Sequence, residues 1–292
     1  MIIKTAGKIF IARILFALIM TLRRLCGLLP VVKAARSGIQ WNLDLREGID
    51  LSIYLLGSFE PTTQKLYKRL IRSGAVVLDI GANIGSHSLP LAKLVGNEGK
   101  VVAFEPTRFA VEKLNKNIQL NPELANRIIV KQQLLVGNAQ QLLSESIYSS
   151  WPLGPRSDEL HLVHKGKLMK TTGAIAITLD ESLRELGVDR VDFVKLDVDG
   201  NEYSVIKGGW NTLEKFKPNL LMEIAPYLFR EQPEDLEGIL SMFRKMEYSV
   251  FDTVSMRELP LSALGLFRLI PQGSSLNIIA LARTRKVISG QQ

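Results

Sequence analysis

The stretch VVLDIGANIG, Val76 to Gly85, reads as a short strand that runs into a glycine-bearing turn, with a helix opening near Ser86. Its apolar residues are continuous rather than alternating, which suits a strand covered on both faces. Gly81 lets the backbone bend tightly, and Gly85 lets helix and ligand approach. A ligand would sit at the carboxyl end of this strand. A pyrophosphate-binding turn wants G-x-G-x-x-G, but here Asn83 and Ser86 stand where the second and third glycines should fall. A ligand without a pyrophosphate needs fewer amides at the turn, and S-adenosylmethionine is such a ligand. Asp79 would reach its amino group directly or through water. The cofactor contacts expected from this turn are Asp79, Gly81 and Gly85.

Working outward, the same pattern recurs. Apolar runs at Ala75 to Ile80, Lys100 to Glu105, Arg127 to Val136, Asp192 to Leu196 and Pro218 to Ile224 are separated by helix-like sequence, the signature of a mainly parallel sheet. Two late runs, Tyr248 to Asp252 and Leu276 to Ala282, are joined by a helix-poor loop and are expected to pair antiparallel at one edge. The second run, KVVAFEP, places Glu105 where an acceptor pair can meet ribose hydroxyls; the alternative is a surface acid ahead of the helix from Arg108. VDFVKLDVDGNE ends in Asp197, Asp199 and Glu202, and LLMEI in Glu223. So many acids beside a cofactor site are costly unless they meet a substrate hydroxyl, a cation or Lys195, although Asp199 could equally cap a turn. The irregular insertion from Trp151 to Thr178 is expected to arch over this edge.

The chain has 292 residues, 46% hydrophobic and 23% charged, which excludes disorder and fibrous repeats. One cysteine, Cys26, excludes an internal disulfide or a thiolate metal cluster; it fits a reducing compartment and is expected in the core. Residues 1–74 hold 12 basic and 4 acidic side chains, so the whole net charge of +8 belongs there. Ile9 to Met20 is apolar apart from Arg13 and predicts a helix, shorter than the roughly 20 apolar residues of a bilayer span. Packing on protein is the favoured expectation, with peripheral membrane contact through residues 9–24 left open. Residues 41–57 suggest a hairpin around Gly48, and Pro61 to Arg72 a helix ended by Gly74. The expected organisation is a helical and hairpin cap over residues 1–74 and a main α/β domain over residues 75–292.

Five blocks then carry a resemblance: LDIGANIGSHS, AFEPTRFAVEKLNKNIQLN, ITLDESL, VDFVKLDVDGNEYSVIKGG and FKPNLLMEIAP, with WNLDLREGIDLSIYLLGSFEP upstream. In this order they resemble the FkbM family of methyltransferases. The resemblance implies a Rossmann-like class I methyltransferase, a seven-stranded α/β sheet with an antiparallel edge strand, acting with S-adenosylmethionine on a hydroxyl of a small-molecule or saccharide acceptor. It carries cofactor contacts to Asp79, Gly81, Asn83 and Glu105, and an acidic motif to Asp197, Asp199 and Glu202. Asp199 stands where the family often has Glu.

In the mechanism expected from these residues, Asp197 or Asp199 orients and deprotonates the acceptor, Glu202 and Glu223 assist, and His87 is the alternative base. His161 and His164 are expected to face substrate or solvent. No metal and no nucleic-acid partner are expected: no Asn/Asp-Pro-Pro-Tyr/Phe-like tetrapeptide follows a strand, and basic residues are not interleaved with aromatics. The competing readings are nucleic-acid methylation and a non-catalytic module that keeps the cofactor fold. A cytoplasmic location is expected; oligomeric state and acceptor stay open.

Overall fold

Seven strands form the central sheet of the protein, seen here in a computed structural model that describes residues 5–138, 140, 144–149, 152–153, 166–225, 233–271 and 274–282. Helix α1 (Thr5–Leu25) leads into a hairpin of β1 (Val31–Arg36) and β2 (Ile39–Asp44), then α2 (Gly48–Leu56) and α3 (Pro61–Leu70). The α/β portion begins with β3 (Val76–Ile80), α4 (Ser88–Val95), β4 (Lys100–Phe104), α5 (Arg108–Gln119), α6 (Pro122–Ala125) and β5 (Ile128–Lys131). Then come the short strands β6 (Gln133–Leu135), β7 (Ser146–Ser149), β8 (Lys167–Lys170) and β9 (Ile175–Ile177), and helix α7 (Leu179–Glu185). The chain continues through β10 (Phe193–Leu196), α8 (Glu202–Gly208), α9 (Trp210–Phe216) and β11 (Asn219–Ile224). It closes with α10 (Pro233–Lys245), β12 (Tyr248–Asp252), α11 (Ala263–Leu269) and β13 (Leu276–Ala282).

The sheet order is β12-β13-β11-β10-β3-β4-β5, with β13 antiparallel to both neighbours and β11, β10, β3, β4 and β5 parallel. This is the Rossmann-like arrangement expected, with the reversed strand one place in from the edge. Successive side chains of a strand point to opposite faces, and both faces are covered. Leu78, Val102, Val194 and Met222 join one apolar cluster with α8 and α10. Val77, Val101, Phe193 and Leu221 join a second, which also takes in Trp41, Leu43, Ile53 and Tyr67 from the N-terminal extension.

That extension is tied down by side-chain amides. The outer edge of β2 would otherwise leave peptide groups unpaired under α5. The Gln40 amide donates to Asn121 Oδ1 (2.8 Å), the Asn42 amide to Asn117 Oδ1 (2.9 Å), and Asn121 Nδ2 to Gln40 O (2.7 Å). Asn117 Nδ2 reaches the Ile84 carbonyl in the glycine turn (3.0 Å). A buried pair, Lys113 Nζ to Asp50 Oδ1 at 2.7 Å, adds a link from α5 to α2.

Several expectations are corrected. The hairpin lies at residues 31–44, and the second half of the stretch at 41–57 is the helix α2, closed by Gly57 in the left-handed region. A short buried helix and a strand look alike by hydrophobicity, and burial of Asp50 against Lys113 favours the helix here. The run at 127–136 divides after Lys131: β5 edges the main sheet, while β6 leaves it to pair in parallel with β9. The turn after β3 runs two residues longer than expected, so α4 opens at Ser88, and α3 stops at Leu70, short of Gly74. Cys26 is exposed beyond the end of α1, not in the core. Helix α1 packs on protein along one side only, through Ala12, Phe16, Ile19 and Met20. Within the stretch from Trp151 to Thr178, β8 pairs antiparallel with β7, which precedes that stretch, and β9 pairs in parallel with β6; His161 and His164 lie outside the described residues.

The amide network makes a stability prediction. Asn117→Ala leaves the Asn42 amide and the Ile84 carbonyl without this partner in a buried site, so it should cost about 1–3 kcal/mol and lower the chemical-denaturation midpoint with little change in slope.

Candidate active site

At the carboxyl edge of the sheet the glycine turn and the end of β10 touch. Gly81 has φ 81°, and a Cβ there would come within 1.9 Å of the Asp197 carbonyl, so only glycine fits. Gly85 also has positive φ, but what requires it is helix packing: a Cβ would collide with the ends of Leu89 and Leu114. Asn83, also left-handed, donates its amide to Glu105 Oε2 (3.0 Å) and its Nδ2 to Ser149 Oγ of β7 (3.4 Å).

Glu105 does not stand open as an acceptor pair. Its Oε1 accepts from the Thr107 amide (2.9 Å) and hydroxyl (2.5 Å), so the carboxylate clamps the loop after β4 to the glycine turn. Burial raises its pKa, with those bonds pulling back. A carboxylate offers about four acceptor positions, and three are in use. Asp79 is fully buried beneath the turn: Oδ2 accepts from Ser88 Oγ (2.5 Å), and Oδ1 takes no hydrogen bond. A free acceptor position on Glu105 and an Asp79 oxygen without a hydrogen bond lie around one turn and fit a ligand with sugar hydroxyls and an ammonium, and S-adenosylmethionine has both.

Beside the turn lies Lys195, in parallel register with Asp79. Its Nζ pairs with Asp197 Oδ2 (3.2 Å) and Asp79 Oδ1 (3.8 Å) and donates to the Gly81 carbonyl (3.3 Å). Burial alone would lower its pKa, but Asp197 and Asp79 outweigh this and hold it above the usual value. Asp197 keeps 33% of its side chain open. Asp199 sits at φ 52°, in the left-handed region. Burial, then the charges of Asp197 and Glu202, raise its pKa well above the carboxylate range. Glu202 turns inward, where Oε1 accepts from the Val198 and Gly200 amides (3.3 and 3.2 Å) and holds the loop; burial lifts its pKa to about 7. Glu223 on β11 is likewise raised to about 7, by burial and then by Asp197.

The structure adds a residue that sequence reasoning missed. Glu60, at the start of α3, stands among these acids: burial and then Asp197 raise its pKa, and Thr63 Oγ1 donates to it (2.9 Å). Asn277 Nδ2 of β13 approaches it at 3.4 Å. Its only signal was its place at the end of the leader block, SFEP, and 217 residues separate it from Asn277. His87 does not face the open edge. It is buried with Nδ1 2.9 Å from Tyr67 Oη and Nε2 4.0 Å from Glu60 Oε2, and burial, then Lys195, pushes its pKa well below the usual value. It is a neutral ring between the extension and the sheet. Among the described residues no cluster has the donors to hold a metal ion.

The sign of the pH dependence follows. Glu202 binds a proton more tightly folded than unfolded, so its contribution is present at low pH and is lost as pH rises from about 4.5 to about 7. Glu202→Gln keeps the oxygen that accepts from the loop amides. It should match the wild type at pH 5 and melt above it at pH 8, measured by thermal denaturation.

Against known proteins, the Methyltransferase FkbM domain family matches residues 79–250. The chain is 24% identical over 190 residues to a probable cobalt-precorrin-6B C(15)-methyltransferase of Saccharolobus solfataricus, covering 58% of this chain and 88% of that one. It is 26% identical over 199 residues to methyltransferase sdnD of Sordaria araneosa, covering 56% and 75%. Among solved structures, the FkbM methyltransferase of Methylobacillus flagellatus aligns over 71% of this chain at 18% identity with a TM-score of 0.43, and this chain spans 44% of that protein's length. An O-methyltransferase of Thermotoga maritima aligns over 91% of this chain and 83% of its own at 15% identity, with a TM-score of 0.42. The family match covers more than half of the sequence, and the chain belongs to the FkbM family of S-adenosylmethionine-dependent methyltransferases.

Proposed function

We propose that the methyl group goes to a hydroxyl oxygen of a small-molecule or saccharide acceptor, and that Asp197 takes the acceptor's proton. The carrying observation is that Asp197 is partly open at the carboxyl edge, with its own backbone carbonyl pressed against Gly81 of the cofactor turn. The bound sulfonium supplies an electrophilic methyl carbon. A hydroxyl acidifies as its oxygen is alkylated, so a base within hydrogen-bond reach is what the protein must provide.

The other acids fall into different roles under this reading. Burial and the charges of Asp197 and Glu202 raise the pKa of Asp199, which suits it to donate to an acceptor oxygen more than to serve as the base. Glu202 is engaged with loop amides. Glu60 and Glu223 share the field of Asp197 and suit hydrogen bonds from further hydroxyls of a polyol. Lys195 supplies the counter-charge that keeps Asp197 placed. For the cofactor, the reading assigns Asn83 and the free acceptor position of Glu105 to the ribose side, and Asp79, through water, to the amino group.

The test uses Asp197→Asn. With a productive hydroxylated acceptor, its kcat should fall by about 10² to 10⁴, while calorimetry shows S-adenosylmethionine bound within a few-fold of the wild-type affinity. Undiminished turnover in the variant would remove Asp197 from the role. Cofactor binding with no acceptor-dependent release of S-adenosylhomocysteine from the wild type would point to the non-catalytic module.

A further inference from the structure

Helix α1 is apolar on both of its long sides, and the protein covers one of them. Ala12, Phe16, Ile19 and Met20 pack on the extension's core. On the other side Phe10, Ile11, Ile14, Leu18, Leu22 and Leu25 are 48 to 79% exposed, and the stripe continues past the helix through Leu28 and Leu29. The water-facing side of a surface helix is ordinarily polar, so an apolar stripe of this length marks a contact.

Charge selects what makes that contact. The first 43 residues contain seven Lys or Arg and no acid, and Arg24 lies exposed along the border of the stripe. A second copy docking here would bring two such basic segments together with no carboxylate in either helix to offset them. An anionic lipid surface neutralises these charges, while its acyl boundary takes aliphatic side chains that offer no polar groups. Arg13 lies mid-helix, and among the described residues no helix is long and apolar enough to cross a membrane, so α1 would lie in the plane of the interface. We infer that α1 seats the enzyme on an anionic bilayer, with Phe10, Ile14, Leu18 and Leu22 at the acyl boundary and Arg24 at the headgroups.

Vesicle co-sedimentation of the full chain tests this, with phosphatidylcholine alone and with phosphatidylcholine mixed with phosphatidylglycerol. The wild type should bind the mixed vesicles at least about tenfold more tightly than the neutral ones and lose that margin in high salt. The double variant Leu18→Glu with Leu22→Glu, at exposed positions, should lose mixed-vesicle binding by a similar factor while its affinity for S-adenosylmethionine stays unchanged. Should that variant misfold, Arg24→Glu and the salt series on the wild type give the same reading. The inference fails if the wild type does not prefer anionic vesicles, if the variants bind them as the wild type does, or if the wild type is a dimer that the double variant converts to a monomer without any vesicle binding.

Discussion

An ammonium group buried in the middle of a parallel sheet organises the molecule. Lys195 is 2% exposed, and an isolated charge at such a depth costs several kcal/mol or more. The compensation comes from Asp79 across the β3–β10 register, from Asp197 two residues on, and from the Gly81 carbonyl. These partners are the floor of the turn, the turn itself and the acid at the strand's end. One charge therefore positions both halves of the active edge, and its removal would leave Asp79 buried without its cation.

Strand periodicity explains why these polar groups gather. Asp79, Lys195 and Glu223 share the sheet face of Val77, Phe193 and Leu221, the face roofed by the N-terminal extension. The opposite face is apolar and packs on α8 and α10. The extension thus supplies polar groups as well as cover: Glu60 and Tyr67 come from it, and His87 approaches both across the junction. The amides of Asn117 and Asn121 hold the roof in register by completing the β2 edge.

The sheet was legible from sequence because strands buried on both faces are nearly unbroken apolar runs, as in VVLDI and LLMEI, each broken by one acid near its carboxyl end. The 41–57 and 127–136 stretches were misread for one reason: hydrophobicity over a few residues does not distinguish a buried helix from a strand, or one strand from two that part company at Gln132. Spacing placed Glu105, Asp197 and Glu202 at the carboxyl edge of the sheet, where the structure has them, but said nothing of where their carboxylates point. Glu105 and Glu202 spend their oxygens on backbone amides of neighbouring loops. Glu60 was out of reach because nothing local to SFEP signals a fold back onto β13. The left-handed backbone at Asp199 is likewise something that sequence pattern does not report.

The contact between Gly81 and the Asp197 carbonyl has a consequence for redesign. Because the two backbones abut with no side chain between them, neither can shift unless the other follows. The segment after β10 therefore cannot be transplanted alone. A chimera must import the matching strand-to-helix elbow along with it, or the donor and recipient pieces will jam at that seam.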